Sequence, residues 1–85
     1  MAISDKLRAL LALSGKKSTD LAGYFGISPQ AMRNKFSRGS FSADDLIKIS
    51  VFLDLDLSFR TTDNQIITLD EKDLQGYSDE KGMDA

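Results

Sequence analysis

The sequence predicts a small, mainly α-helical fold: four short helices in series, followed by a C-terminal β-hairpin. Two observations carry this. Apolar residues recur three and four positions apart from Ile3 to Leu53, the repeat of a helix face, and alternate from Leu57 onward, the repeat of a strand. Glycines and hydroxyl-bearing start signals break the first region at short intervals, so it reads as several helices rather than one long rod.

The first helix is expected over 3–14, "ISDKLRALLALS", with Ile3, Leu7, Leu10 and Leu11 on one stripe and Gly15 ending it. "STDLAGYF" at 18–25 follows, with Ser18 as N-cap and Leu21, Ala22 and Phe25 on one face; Gly26 suits the left-handed residue that stops a helix. Ser28-Pro29 is a strong start signal, a hydroxyl cap and then proline at the first helical position. The third helix runs to about Ser37, buries Met32 and Phe36, and closes at Gly39. The fourth, 43–53, opens at Ser42 with Asp45 three residues on, a capping-box arrangement, and its apolar surface is wider than one stripe. Leu10, Leu21, Phe25, Met32, Phe36, Leu46, Ile49 and Leu53 are the expected core.

After Asp56, "LSFRT" and "QIITL" read as two strands near 57–61 and 65–69. A two-residue loop at Asp63-Asn64 would pair Phe59 with Thr68 and mix the faces. A three-residue loop, Thr62-Asp63-Asn64, pairs Phe59 with Ile67 and Leu57 with Leu69 and places Asn64 in the αL position. The longer loop is therefore expected, leaving Ile66 on the opposite face beside Arg60 and Thr68. From Asp70 onward the chain is charged and aperiodic, with room for a short turn near Leu74. The expected organisation is thus a helical domain over 1–54, a hairpin over 55–70 and an acidic, flexible tail over 71–85.

Eighty-five residues allow one modest core. The absence of cysteine and histidine removes disulfides, thiolate chemistry, the commonest zinc ligands and the usual general base at neutral pH. No nucleophile–base pair is visible, so the expectation is no enzyme, no metal and no cofactor, and nothing indicates a small-molecule ligand. The acids Asp44 and Asp45 are adjacent at a helix start, where acids usually cap. The N-terminus carries charges inside its apolar run, which argues against a leader or membrane anchor and for a soluble cytoplasmic protein. The net charge of −2 hides a division. Residues 1–48 hold eight cations (Lys6, Arg8, Lys16, Lys17, Arg33, Lys35, Arg38, Lys48) against four acids (Asp5, Asp20, Asp44, Asp45), while the remainder holds three against nine. Between Lys16 and Phe41 there are five cations and a single acid, Asp20.

Two short helices joined by Gly26 and Ile27, with small Ala22 where the backbones approach, describe a helix-turn-helix. "STDLAGYFGISPQAMRNKFSRG", followed by a capped fourth helix, resembles the phage lambda repressor/Cro-type family (the XRE family) over roughly residues 3–54. Leu21, Ala22, Gly26, Ile27 and Met32 carry the likeness; Lys35 departs from it, since a bulky apolar residue often stands there, and Phe36 takes that packing role. The resemblance implies a lambda repressor-like helix-turn-helix bundle and a DNA-binding transcriptional regulator that works as a two-fold homodimer on paired half-sites. It leaves a phage, conjugative-element or toxin–antitoxin setting open, in a bacterial or phage-encoded protein.

The residues agree with that implication. With Met32 and Phe36 buried, the helix at 28–37 turns Gln30, Arg33, Asn34 and Lys35 outward. Amides and guanidinium groups match adenine and guanine edges, so Gln30, Arg33 and Asn34 are the candidate base readers. Lys16, Lys17, Ser18, Lys35, Arg38 and Ser40 suit phosphate, as do the unpaired N–H groups opening the second helix. The hairpin, with Ile66 on its free face and an open strand edge, is the fitting dimer device. A competing reading is an interaction adaptor, antitoxin-like, with a vestigial DNA-binding helix and an acidic C-terminal part for a basic partner; salt-dependent DNA affinity separates the two.

Overall fold

The fold is a computed structural model in which residues 2–74 are described. It is mainly helical, with α1 (Ile3–Leu13), α2 (Ser18–Phe25), α3 (Pro29–Arg38) and α4 (Ala43–Leu53), then β1 (Leu57–Arg60), β2 (Ile66–Leu69) and a 3-10 turn at Glu71–Asp73. The chain parts into two compact units between Ser42 and Ala43. The short turn expected near Leu74 is the 3-10 turn; the rest of the expected tail, 75–85, lies outside the described residues.

In the first unit every helix has a local stop. At α2, Gly26 adopts φ 72°, its N–H donates to the Gly23 carbonyl, and the Ile27 N–H donates to the Ala22 carbonyl at 3.0 Å. At α3, Gly39 at φ 64° repeats the pattern, with the Ser40 N–H on the Lys35 carbonyl at 3.1 Å. These paired reverse bonds satisfy carbonyls that a helix end would otherwise leave orphaned. The Ser28 hydroxyl accepts the Ala31 N–H at 3.1 Å and Pro29 occupies the first turn, so α3 restarts almost at once. Ser18 proves to be the first residue of α2 rather than its cap. The cap position is Lys17, whose backbone N–H donates to the Asp20 carboxylate at 2.9 Å. The carboxylate is the stronger acceptor and draws the helix start back by one residue.

Leu7, Leu11, Leu21, Ala22, Met32 and Phe36 are buried, and Leu21 and Met32 are fully so. Leu10 and Phe25, expected in the core, are only half-buried. The buried face of α1 instead runs through Ser4, Leu7 and Leu11, spaced three and four apart. Ser4 explains the rotation: its hydroxyl donates to the Phe36 carbonyl at 2.6 Å, tying the start of α1 to the end of α3. That carbonyl lies in the last turn of α3, where helical partners run out.

The second unit is α4 with the hairpin and the 3-10 turn, both of which contact α4. Ile47, Ile49, Ser50 and Leu53 are buried, while Leu46 is half-buried, so Ile47 holds the interior place expected of Leu46. Ser50 is accommodated because its hydroxyl donates to the Ile47 carbonyl at 2.7 Å. α4 ends like the others but on a non-glycine residue: Asp54 stands at φ 58°, and the Leu55 N–H reaches the Ser50 carbonyl at 2.8 Å. The hairpin is antiparallel, pairing Leu57 with Leu69, Phe59 with Ile67 and Arg60 with Ile66. Its loop is the expected three residues, closed by the Thr61 N–H on the Gln65 carbonyl at 2.8 Å, with Asn64 at φ 68°. Leu57 and Leu69 at the base are half-buried; Phe59, Ile66 and Ile67 toward the tip are exposed.

Two stability measurements check this architecture. Phe36→Ala should cost about 3–5 kcal/mol in urea unfolding, because a buried ring is removed and the groups around it relax only in part. Gly26→Ala should cost about 1–2 kcal/mol although a Cβ there meets nothing within 4 Å, since the penalty lies wholly in the left-handed backbone. Gly26→Asn should recover much of that loss. Equal losses for the alanine and asparagine variants would show that space, not φ, governs the turn.

Candidate nucleic-acid interface

The interface is built on α3, aimed by the turn before it. Gly26 and Ile27 leave no slack between α2 and α3, and burial of Met32 and Phe36 sets the rotation of α3 about its axis. With about 100° per residue, Gln30, Arg33, Asn34 and Ser37 then share the opposite side. All four are exposed. The first three form one hydrogen-bonded chain: the Arg33 guanidinium donates to Gln30 Oε1 at 2.7 Å, and Gln30 Nε2 donates to Asn34 Oδ1 at 3.2 Å. The three sequence-predicted base readers are thus brought together on one surface, and a guanidinium and two amides carry more N–H donors than these two bonds use.

The predicted phosphate residues divide around that surface. Lys16 and Ser18 line an open groove together with Gln30, Arg33 and Asn34. Lys17 is exposed at the cap of α2, beside the N–H groups of Ser18 and Thr19 that helix geometry leaves without intrahelical acceptors. Asp20 already occupies the Lys17 N–H, so the anion-attracting end of α2 is shared with one carboxylate. Arg38 and Ser40 are exposed at the far end of α3, and the Ser40 backbone N–H is spent on the helix stop, which leaves its hydroxyl. Lys35 differs from expectation in degree. It is half-buried, and its position about the axis adjoins Met32 rather than Gln30. Ile66 belongs to the second unit and is 63 % exposed.

The structure adds Arg8, which sequence reasoning passed over. It lines the same groove, and its guanidinium carbon lies 5.3 Å from the centroid of the Phe36 ring. A cation in the first helix carries no local signal of this placement. The only sequence clue is that Arg8 and Leu11 stand three apart, so a buried Leu11 brings Arg8 to the edge of the same face.

A short helix, a left-handed glycine turn and a capped second helix with amides and a guanidinium on its outer side define a helix-turn-helix DNA-binding protein. The chain belongs to the family described as the bacteriophage CI repressor helix-turn-helix domain, whose model matches residues 7–65. No curated protein and no solved structure matched the chain. The family match bears out the lambda repressor/Cro-type resemblance and the lambda repressor-like fold. It covers α1 from Leu7 onward, then α2, α3, α4 and β1, and stops at Gln65 just before β2. The protein is accordingly a double-stranded-DNA-binding regulator of transcription, in a family of DNA-binding regulators and not of enzymes. Among the described residues, no helix is long and apolar enough to cross a membrane.

Proposed function

We propose that the protein is a sequence-specific transcriptional repressor that reads the major groove with α3 and acts as a two-fold dimer. The observation that carries this reading is the Arg33–Gln30–Asn34 chain on the outer side of α3. Cross-bonding orders these side chains before DNA arrives, which reduces the entropy lost on binding. Arg33 can exchange its bond to Gln30 for two bonds to guanine O6 and N7, while Gln30 or Asn34 matches adenine N6 and N7. Lys16, Lys17 and Ser18 at one end, with Arg38 and Ser40 at the other and Lys35 on the flank, hold the backbone and set the register. The repressor role follows the family's description.

Dimerisation enters because three reading side chains, at about 1–3 kcal/mol of discrimination for each good bidentate pair, specify only a short half-site. The hairpin is the proposed contact: among the described residues each strand has one edge without a strand partner, there is no charge from Gln65 to Leu69, and Ile66 is exposed beside Arg60 and Thr68.

Selection of bound sequences from random duplex DNA tests both parts, and a two-fold motif with half-sites about one helical turn apart, 34–36 Å, is the expected result. Gln30→Ala and Arg33→Ala should each relax preference at one base pair by about 1–3 kcal/mol. Lys17→Ala and Arg38→Ala should weaken binding to all sequences and flatten its salt dependence. A uniform loss with Arg33→Ala would assign it to phosphate instead. Ile66→Lys should yield a folded monomer with weaker operator binding, and sedimentation of the unmutated protein as a monomer at micromolar concentration would remove the hairpin contact from this reading.

A further inference from the structure

We propose that Arg8 of α1 is a DNA-backbone contact, its guanidinium seated on the Phe36 ring to receive a phosphodiester oxygen at the groove between α1 and α3. The inference rests on the reading that α3 faces DNA, and it extends that surface to a helix outside the helix-turn-helix.

The groove has a cation on each side. Arg8 and Lys16 come from α1 and the turn after it, Arg33 comes from α3, and Leu11, Ala12 and Phe36 are the apolar residues of the lining. A phosphodiester strand carries one charge per residue on a partly apolar sugar backbone, and these walls match both properties. Arg8 is also held in place. Phe36 is 4 % exposed and is itself met edge-on by Phe41, with ring centroids 5.2 Å apart and planes at 85°. A guanidinium carbon 5.3 Å from the centroid of such a ring lies within cation–π range and is attracted to its face. This contact uses no N–H donor, and the guanidinium carries a planar fork of donors suited to oxygen, which a lysine in the same place could not offer.

The competing acceptor is weak. Arg8 Nη1 lies 3.6 Å from Asp5 Oδ1, one turn earlier on the same helix, and both side chains are more than half exposed. An exposed single-point ion pair of this kind contributes little, so a phosphate oxygen can displace Asp5. The purely structural alternative is that Arg8 only shields the Phe36 ring. Shielding predicts a change in stability with no change in the number of counterions released by DNA.

Fluorescence anisotropy of the full chain with a short duplex of random sequence, across a salt series, distinguishes the two. Arg8→Gln should lower the slope of log affinity against log salt by about 0.9, one phosphate fewer, equally for every sequence. Arg8→Lys should restore most of that slope, and it serves as the informative variant if loss of the ring contact unfolds Arg8→Gln. Asp5→Asn should raise affinity about two- to fivefold, and that gain should shrink when Arg8 is also replaced. An unchanged slope in Arg8→Gln, with Lys17→Ala still flattening it, would overturn the Arg8 contact while leaving the proposed function standing. No salt-dependent binding by the unmutated protein would overturn both. Inorganic phosphate at matched ionic strength should compete no better than chloride; stronger competition that requires Arg8 would assign a free-anion site and overturn the backbone contact.

Discussion

The outer face of α3 depends on one local constraint, the hydrogen bond from the Ile27 N–H to the Ala22 carbonyl at 3.0 Å, closed around a left-handed Gly26. It ends α2 and reverses the chain within two residues, before Ser28 restarts a helix. Because the turn has no slack, the direction of α3 is inherited from α2. The buried side chains decide only its rotation. Ala22, at 1 % exposure, has no bulk to push the two backbones apart. A larger residue there would have to be overpacked or would open the turn. The side to which Arg33, Gln30 and Asn34 point thus follows from backbone geometry at a position none of them touches.

Charge is arranged on the same scale. Seven of the cations lie in the first unit, on α1, in the turn after it and along α3, while the acids concentrate after residue 48, so a net charge of −2 coexists with a cationic first unit. Asp5 and Asp20 are the acids within that unit, and Asp20 lies at the start of α2. Its carboxylate accepts the Lys17 N–H and so stabilises the start of α2, but it also sits where a phosphate would be drawn. Stability of the helix and attraction of the backbone compete at this residue. An anion at the end of α2 is therefore better met by the flexible cations Lys16 and Lys17 than by the helix end alone.

The second unit solves a different problem. A two-stranded hairpin is marginal in water unless something covers it, and here only its base residues Leu57 and Leu69 are half-buried. Phe59, Ile66 and Ile67 remain exposed toward the tip, on both faces of the ribbon. Local bonds hold that tip instead: the Thr61 hydroxyl donates to Asp63 and accepts the Gln65 N–H, and Asn64 takes the left-handed position. Such a hairpin is well specified in register but carries more apolar surface than a lone ribbon needs.

What the sequence by itself determined is most of what short-range chemistry governs, the start of α2 excepted, where Lys17 and Asp20 form the cap expected of Ser18. Helix starts at Ser28-Pro29, stops at Gly15, Gly26 and Gly39, and the three-residue hairpin loop with its Phe59–Ile67 register were legible because caps, left-handed residues and the period-two pattern act within a few residues. The outward side of α3 was legible for the same reason, once Met32 and Phe36 were taken as buried. Tertiary structure decided the rest. It turned α1 so that Ser4, Leu7 and Leu11 face inward in place of Leu10, because the Ser4 hydroxyl finds the Phe36 carbonyl thirty-two residues away. It drew Lys35 partly out of solvent, allowed Asp54 to close α4 without a glycine, and brought Arg8 of α1 to Phe36 of α3. Each of these depends on a partner distant in the chain or on the balance of a whole buried face, and no local pattern encodes such a partner.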